Sequence, residues 1–409
     1  MANSAVHRGR DRANPAGNPL RLLAGVARLG AHAAYDTLAR PPARRASDVP
    51  CRIEAITAPW LPAALCGEAL DAKVESFTLD GETRGTTVRR RIALTYSGNA
   101  GNADLPATVF AKSTPSFLHR VTHGLTATME NEALFYRHIR PLLTLEAPRG
   151  YFTAYDLNSG RSIQLLEDLV RTKQATFCTP RTPLTRAMAE NMAGVLASFH
   201  ARFLGANDLA QRFSWLKSYP QWFADGYDQF GLKRFHDKAL IEAESVIPRD
   251  VFARRDDIWP AQLGTLDDHR HPPLTLIHSD VHLGNWYITG DGRMGLCDWQ
   301  CVSIGLWARD VAYAFSSALA VEDRRAWERD LLRLYLDQVA QKSGVTIDAD
   351  AAFTAYRRQM IAALLMWTPT LHHSPLMPDM QPRDTAMEMI RRITTAMSDL
   401  ETLKAAPPI

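Results

Sequence analysis

The chain has 409 residues, with 46% hydrophobic and 22% charged side chains, a composition typical of soluble globular domains. Its 47 Lys and Arg nearly balance its 44 Asp and Glu, so the formal net charge is only +3. This balance argues against a nucleic acid as partner. The length allows a large core and two or three domains.

The first 50 residues form a basic leader, with eight Arg, no Lys and three Asp. Asn18-Pro19 is a typical helix start, and Leu22, Val26 and Leu29 then fall on one helical face. We expect this helix to pack on the protein or to stay partly mobile, with contact to a membrane surface as the alternative.

Neither a secretory signal nor a membrane span is expected from this segment. Its longest apolar run, 22–27, is too short for a signal core, and charged residues interrupt the stretch 20–38. The five Cys of the chain form an odd number without paired zinc-type spacing. We therefore predict a reduced, cytoplasmic protein without integral membrane association.

Residues 51–170 have the pattern of a small β-rich lobe. Alternating apolar residues predict strands at 74–79 and 88–96 around the turn 80–87, and a buried strand at 107–112 that ends in Lys112. Helical spacing follows at 130–142. Two further strands, 151–155 and 162–166, flank the turn sequence 156–160.

Residues 171–409 have a helical pattern. Apolar residues recur every three or four positions from Leu184 to Phe203. Further helical segments are predicted at 311–320, 325–341, 351–367 and 385–403. The predicted fold is α+β, with a small β-rich N-terminal lobe that carries one main helix and a larger helical C-terminal lobe. The sequence gives no prediction of oligomeric state.

The segment 276–300 is rich in residues that can carry chemistry. Asn285 opens a predicted hairpin with strands at 285–289 and 294–299 and a turn at 290–293. Asp280 lies in the loop before this hairpin, and Asp298 lies near its end. Because antiparallel strands bring their outer ends together, these three oxygen-bearing side chains can converge.

This set of residue types is suited to phosphoryl transfer. Mg²⁺ needs hard oxygen ligands to bridge phosphate oxygens, and a separate carboxylate must orient the attacking hydroxyl and take its proton. Asp280 fits the base, and Asn285 with Asp298 fits the metal ligands. The alternative is a turn Asp, a capping Asn and a surface Asp that share no site.

The motif His278-x-Asp280-x-x-x-x-Asn285, followed by Asp298-Trp299-Gln300, resembles the aminoglycoside phosphotransferase and choline kinase family. The residues of the motif are most similar to those of the ecdysteroid kinase-like branch. The resemblance implies a protein-kinase-like, two-lobed fold and transfer of the γ-phosphate of ATP, with Mg²⁺, to a hydroxyl of a small molecule. A lipophilic or ring-shaped alcohol is one candidate acceptor.

The resemblance also suggests residues for nucleotide binding. Lys112 corresponds to the strand lysine that contacts the nucleotide phosphates, and Glu132, or its competitor Glu130, to the helix glutamate that fixes the lysine. The segment 165–169 resembles the connector that binds adenine through main-chain groups, which implicates Glu167 and Leu169.

Phosphate contact is also predicted for Gly85 and Thr86 in the turn 80–87, although this turn lacks the full glycine-rich pattern of protein kinases. His278 and Asp310 are expected to support the catalytic loop rather than to react.

Two other functions remain open at this stage. The spacing His278-x-Asp280-x-His282 is compatible with a transition-metal hydrolase, and a kinase-like protein that binds nucleotide without turnover would have the same sequence pattern. Aromatic residues of the helical lobe are candidate walls of an acceptor pocket: Trp215, Tyr219, Trp222, Phe223, Tyr227, Trp367, His372 and His373.

Overall fold

The computed structural model describes residues 19–45, 47–66, 73–84, 87–97, 105–126, 128–228, 231–373 and 380–407. The chain divides into two units. The first unit contains the chain up to Leu142 together with Pro148–Gln174. The second unit contains Leu143–Ala147 and the chain from Ala175 onward.

A five-stranded antiparallel sheet organises the first unit. The order across the sheet is β1-β2-β3-β5-β4. The strands are β1 Lys73–Arg84, β2 Val88–Ser97, β3 Thr108–Ser113, β4 Gly150–Asp156 and β5 Arg161–Glu167. One face of the sheet packs into an apolar core that includes Ile92, Val109, Ala111, Ile163 and Leu165, each inaccessible to solvent.

The β4-β5 turn shows how the local sequence shapes this sheet. The Gly160 N–H donates to the Asp156 carbonyl at 2.8 Å, and Gly160 has a φ of +69°, which a residue with a side chain rarely adopts. A Cβ at this position would also meet Leu29 and Arg120 at 2.8 and 2.9 Å. The predicted turn at 156–160 is confirmed.

The helices of the first unit are α1 Pro19–Ala39, α2 Trp60–Leu65, α3 Phe117–Thr126, α4 Thr128–Leu134 and α5 Leu169–Lys173. Helix α4 continues as a π-helical turn, Phe135–Ile139. Helix α1 confirms a helix in the segment after Asn18-Pro19. Helix α3, with only ten residues, was not predicted, although Phe117, Val121 and Leu125 recur at helical spacing.

The second unit consists mainly of helices. Those of the described residues are α6 Arg186–Ala201, α7 Leu209–Arg212, α8 Tyr219–Phe223, α9 Leu232–Glu242, α10 Arg249–Ala253, α11 Arg255–Thr265, α12 Ala308–Ala318, α13 Val321–Ser343, α14 Ala349–Arg358, α15 Met360–Leu371, α16 Arg383–Asp399 and α17 Thr402–Ala405. Short strands accompany them: β6 Thr176–Phe177, β7 Thr275–Ile277, β8 Trp286–Ile288, β9 Met294–Leu296 and β10 Ser303–Gly305.

Helix α12 is the central element of the second unit, because all of its residues are buried. It follows β10, which pairs antiparallel with β7. Strand β7 leads directly into the loop that carries His278 and Asp280. The loop and the start of α12 are therefore held side by side.

The predicted α+β class is confirmed, with a β-rich sheet first and a largely helical remainder. Two predicted helices are each divided. The segment 351–367 forms α14 and α15, which are separated at Gln359. The segment 385–403 contains most of α16 and the start of α17, which are separated at Leu400 and Glu401. No helix within the described ranges combines the length and the apolar character needed to cross a membrane.

Candidate active site

Lys112 and Glu132 form a buried ion pair in the first unit. The Lys112 Nζ lies 3.0 and 2.8 Å from the two carboxylate oxygens of Glu132, and the side chains are only 4% and 1% exposed. Strand β3 carries the lysine and α4 the glutamate. Glu130 instead accepts a hydrogen bond from the Tyr155 hydroxyl at 3.2 Å. The lysine is thus paired with Glu132 and not with its competitor.

The connector after β5 is held by several main-chain and side-chain hydrogen bonds. The Glu167 N–H donates to the Arg149 carbonyl, and its carboxylate accepts the Arg149 N–H at 3.0 Å and the Thr172 hydroxyl at 2.8 Å. Leu169 begins α5, where the first amides of a helix have no partner within it. The predicted phosphate-contact residues Gly85 and Thr86 lie outside the described residues.

The predicted hairpin in the second unit is confirmed as β8 and β9, which pair Trp286 with Leu296 and Ile288 with Met294. Gly295 is required there, since a Cβ would lie 2.2 Å from the Tyr287 ring. Beyond the last strand pair, the Cys297 N–H donates to the Asn285 carbonyl at 2.9 Å. Asp298 therefore follows directly after a residue bonded to Asn285.

Asp280 is hydrogen-bonded directly to the side chain of Asn285. The Asn285 side-chain N–H₂ donates to the Asp280 carbonyl at 2.8 Å and to its carboxylate at 3.2 Å. The amide oxygen of Asn285 is then the atom left for another ligand. The Tyr313 hydroxyl lies 3.5 Å from the other carboxylate oxygen of Asp280. Asp280 is accessible, with 16% of its side chain exposed.

His278 links the Asp280 loop to the segment before Asp298. Its Nδ1 accepts the Asp280 N–H at 3.2 Å, and its Nε2 lies 3.0 Å from the Cys297 carbonyl, to which it donates. Burial lowers the pKa of His278, although the negative charges of Asp310, Asp280 and Asp298 raise it in part. Because one ring nitrogen accepts a hydrogen bond and the other donates one, the imidazole is neutral and forms a fixed connection between the two segments.

Asp310 supports the same loop from α12. Its carboxylate accepts the N–H groups of His278 at 2.6 Å and Ser279 at 2.9 Å, and it lies 3.2 Å from His200 Nε2. Burial alone would raise the pKa of Asp310, but the hydrogen bond and charge of His200, with Arg309, hold it below the usual value. Asp310 is thus a buried carboxylate that orients the main chain just before Asp280.

Ser279 has a φ of +70°, a strained conformation for a residue with a side chain. Arg309 stabilises it by donating from Nη1 to the Ser279 carbonyl at 2.6 Å, and the Ser303 hydroxyl lies 2.9 Å from the Ser279 hydroxyl. The guanidinium of Arg309 also lies over the Tyr219 ring, 4.4 Å from its centroid. Sequence reasoning missed Arg309, for which adjacency to Asp310 was the only available signal.

The donor set around Asn285 fits a magnesium ion. Asn285 offers an amide oxygen and Asp298 a carboxylate, which are the hard ligands that Mg²⁺ prefers. Asp298 also has a left-handed backbone, with a φ of +64°. A non-glycine residue in this region often marks a functional site, since the surrounding structure must hold it there.

His278 does not fit the transition-metal site that the spacing His278-x-Asp280-x-His282 suggests. Both of its ring nitrogens are engaged within the protein, one with Asp280 and one with Cys297. Within the part of the chain that the structure describes, no group of three or more His, Cys, Asp or Glu side chains is placed to hold a metal ion. The hydrogen-bonded role expected for His278 agrees with this geometry.

Several of the candidate acceptor-pocket aromatics belong to the core instead. Tyr219 and Phe223 are each 1% exposed and Trp367 is 2% exposed. Tyr219 packs against His269 with a centroid distance of 4.4 Å. Trp215 and Trp222 are half-buried and remain accessible. The side chain of Tyr227 lies outside the described residues.

Comparison with solved structures finds distant likenesses. The choline kinase LicA from Streptococcus pneumoniae is 14% identical, with 80% of this chain and 94% of that chain covered and a TM-score of 0.43. A putative aminoglycoside phosphotransferase from Ralstonia eutropha JMP134 is 13% identical, with coverages of 85% and 97% and a TM-score of 0.44. The macrolide 2'-phosphotransferase MphH from Brachybacterium faecium is 16% identical, with coverages of 75% and 89% and a TM-score of 0.42.

Comparison by sequence identifies a matching family model but no individual relative. No curated protein matches the chain. The model of the phosphotransferase enzyme family, APH, matches residues 100–345, a segment that contains Lys112, Glu132, Asp280, Asn285 and Asp298. This match extends over more than half of the 409 residues. The chain therefore belongs to the phosphotransferase enzyme family.

Proposed function

We propose that this protein transfers the γ-phosphate of ATP to a hydroxyl group of a small molecule. The observation that carries the proposal is the hydrogen-bonded unit of Asp280 and Asn285, joined through Cys297 to the segment of Asp298. A base and two hard metal ligands are the parts that phosphoryl transfer requires. Membership of a phosphotransferase family supports the same reaction class.

Lys112 is proposed to hold the phosphates of ATP. A buried ammonium needs a fixed counter-charge, and Glu132 supplies one at 2.8 Å. Gly85 and Thr86 are proposed as further phosphate contacts from sequence alone. The main chain at Glu167 and Leu169 is proposed to bind the adenine ring of ATP. The Leu169 amide lies at the start of α5, where an N–H has no partner within the helix.

Asn285 and Asp298 are proposed to hold Mg²⁺ through an amide oxygen and a carboxylate. When bound, the ion would neutralise negative charge on the phosphate oxygens. The amide nitrogen of Asn285 is fixed on Asp280, so its oxygen has a defined direction. The ligand Asn285 thus depends on the same hydrogen bonds that it donates to the proposed catalytic base Asp280.

Asp280 is proposed as the catalytic base. Its carboxylate is accessible and would accept the proton of the acceptor hydroxyl as the oxygen attacks phosphorus. His278 and Asp310 are positioning residues, because they bond to the main chain around Asp280 and Ser279 and are fully buried. Neither of them can touch a substrate.

The acceptor is proposed to be a small-molecule alcohol, with ring-shaped or lipophilic alcohols as one class to test. Trp215 and Trp222 are the half-buried aromatics that support this class. A screen with cyclohexylmethanol, choline, glucose and kanamycin, followed by ADP release, separates ring, amino-alcohol, sugar and aminoglycoside acceptors.

The proposal is tested by comparing the wild type with Asp280→Ala in this screen. Loss of a positioned base typically costs roughly 10² to 10⁴-fold in rate. Equal rates in the two proteins would refute the role of Asp280. MgATP binding by the wild type without any ADP release would instead favour the alternative of a kinase-like binding protein without turnover.

A further inference from the structure

His282 lies two residues after Asp280, and its side chain reaches the same accessible space. The exposed fractions are 12% for His282 and 16% for Asp280. In this they differ from His278, His200 and Asp310, which are fully buried. A molecule that approaches Asp280 from solvent therefore meets the His282 ring as well.

The ring of His282 is held in one orientation. Its Nδ1 accepts the Gly284 N–H at 3.1 Å. A Cβ at Gly284 would lie 2.8 Å from the ring carbon Cε1 and 3.0 Å from Nδ1, so the close approach requires glycine. The ring also packs edge-on against Trp367, with centroids 5.6 Å apart. Main chain and indole together fix the side chain.

This orientation determines which nitrogen carries the hydrogen. Since Nδ1 accepts a hydrogen bond, the neutral imidazole has its hydrogen on Nε2. The Nε2 atom lies 3.9 Å from Oδ2 of Asp280. This separation is too long for a direct hydrogen bond, but an oxygen at roughly 2.8 Å from each atom fits across it. The two side chains thus present a donor and an acceptor on either side of a space for one oxygen.

We propose that His282 and Asp280 together form the subsite for the acceptor hydroxyl, an inference that rests on the proposed function. The Nε2–H of His282 donates to a lone pair of the hydroxyl oxygen, and the hydroxyl donates to Asp280. The oxygen keeps its second lone pair for phosphorus. His282 is then a substrate-binding catalytic residue of the reaction.

The step balances without a further reactant. The hydroxyl oxygen forms a bond to the γ-phosphorus, its proton passes to Asp280, and the bond from that phosphorus to the bridging oxygen breaks as ADP leaves. His282 keeps its own proton throughout and only orients the nucleophile. Such a pair selects a hydroxyl, which both donates and accepts, over an ammonium group, which has no lone pair to receive the Nε2–H.

Two substitutions of His282 distinguish the role of Nδ1 from the role of Nε2. His282→Asn can keep the contact with the Gly284 N–H but has no group in the place of Nε2–H. His282→Gln places an amide N–H₂ near the position of Nε2. The probe is ethylene glycol at molar concentration, supplied with MgATP. Phosphorus NMR measures hydroxyethyl phosphate, which forms by transfer to the glycol, and inorganic phosphate, which forms by transfer to water.

We expect kcat/KM for ethylene glycol to fall by roughly 10 to 100-fold in His282→Asn, the effect of one lost hydrogen bond to the reacting group. His282→Gln should recover most of this loss. Calorimetry should give the wild-type dissociation constant for MgATP in both variants, because the His282 side chain is assigned to the acceptor alone.

Unchanged kcat/KM in His282→Asn would overturn the inference. Equal losses in both variants, or a matching loss of MgATP affinity, would also overturn it, because either result indicates a purely structural role. If the wild type forms neither phosphorylated glycol nor inorganic phosphate, and releases no ADP with any alcohol of the acceptor screen, the proposed function itself fails. This last result is distinct from the others, since it appears before any variant is compared.

Discussion

Among single residues, Lys112 and Glu132 show most directly how burial makes a charge depend on its partner. Both side chains are almost inaccessible, and their charged atoms lie within 3.0 Å of each other. Removing one charge of such a pair leaves the other uncompensated in a medium that solvates it poorly. The pair is therefore stable only when both charges are present.

Glu132→Gln should weaken both ATP binding and folding, because Lys112 would keep its charge without a counter-charge. We expect a loss of about 3 kcal/mol in the free energy of unfolding and a rise in the KM for ATP of roughly tenfold or more. Denaturant unfolding and ADP-release kinetics measure the two effects.

The matched control is Glu130→Gln on the same helix, which removes the charge from a side chain that accepts a hydrogen bond from Tyr155 rather than from Lys112. That change should cost about 1 kcal/mol and leave the KM for ATP unchanged. If the two variants behave alike, Glu132 has no special relation to Lys112 and the nucleotide role of the pair is wrong.

The sequence was sufficient to predict that Asp280 and Asn285 lie together, but not which residues hold them there. The spacing of Asp280, Asn285 and Asp298 predicts their convergence, because a hairpin of known length joins them. The supporting role of Arg309 depends on a strained backbone at Ser279. No pattern of residue types reveals such strain.

At the scale of elements, a buried histidine joins two helices of the second unit. His236 of α9 is inaccessible, and its Nδ1 lies 2.8 Å from the Thr368 hydroxyl of α15. Burial lowers the pKa of His236 to about 4. Burial also lowers the pKa of His269, which bonds Gln359 between α14 and α15, to about 3.

These histidines should make the protein less stable as the pH falls from 7 to 5. In this range the unfolded chain, with an ordinary histidine pKa near 6.5, takes up protons that the folded protein does not. Acidification therefore favours unfolding, by about 2 kcal/mol at pH 5 for His236. Denaturant unfolding at the two pH values measures the loss.

His236→Gln should remove its share of this pH dependence, and His269 should retain its own. Thr368→Val is the control, because it removes the hydrogen-bond partner but leaves the titrating ring. This control should lower stability at pH 7 and preserve the decrease on acidification. An unchanged pH dependence in His236→Gln would contradict the assignment.

Long elements with strong periodicity were predicted well, whereas the short helix α3 and the breaks between consecutive helices were not. The apolar spacing of α6 predicted a helix, and the alternation of β2 predicted a strand. The break at Gln359 was missed, because no Gly or Pro marks it. The side chain of Gln359 bonds His269, which is 90 residues away.

At the scale of the molecule, a buried carboxylate joins α1 of the basic leader to other elements of the first unit. Asp36 of α1 forms ion pairs with Arg120 and Arg161. Burial would raise the pKa of Asp36, but the hydrogen bonds and charges of Arg161 and Arg120 hold it below its usual value. Arg161 lies 125 residues further along the chain, a distance at which sequence pattern gives no indication of pairing.

Bound MgATP should stabilise the whole protein against unfolding, and part of that stabilisation should need Asp298. A ligand at about 100 times its dissociation constant adds about 2.7 kcal/mol to the free energy of unfolding. Asp298→Asn keeps the volume of the side chain and tolerates the left-handed backbone, so the free protein should unfold as the wild type does. The variant lacks the charge that would hold the metal.

Thermal unfolding with ATP, with and without Mg²⁺, measures this contribution. In the wild type, EDTA should remove part of the shift in unfolding temperature that ATP produces. In Asp298→Asn the part of the shift that depends on Mg²⁺ should be clearly smaller, although Asn285 remains. Asp291→Asn, an exposed acid in the turn of the same hairpin, should behave as the wild type does. A Mg²⁺-dependent shift in Asp298→Asn as large as that of the wild type would contradict the metal role of Asp298.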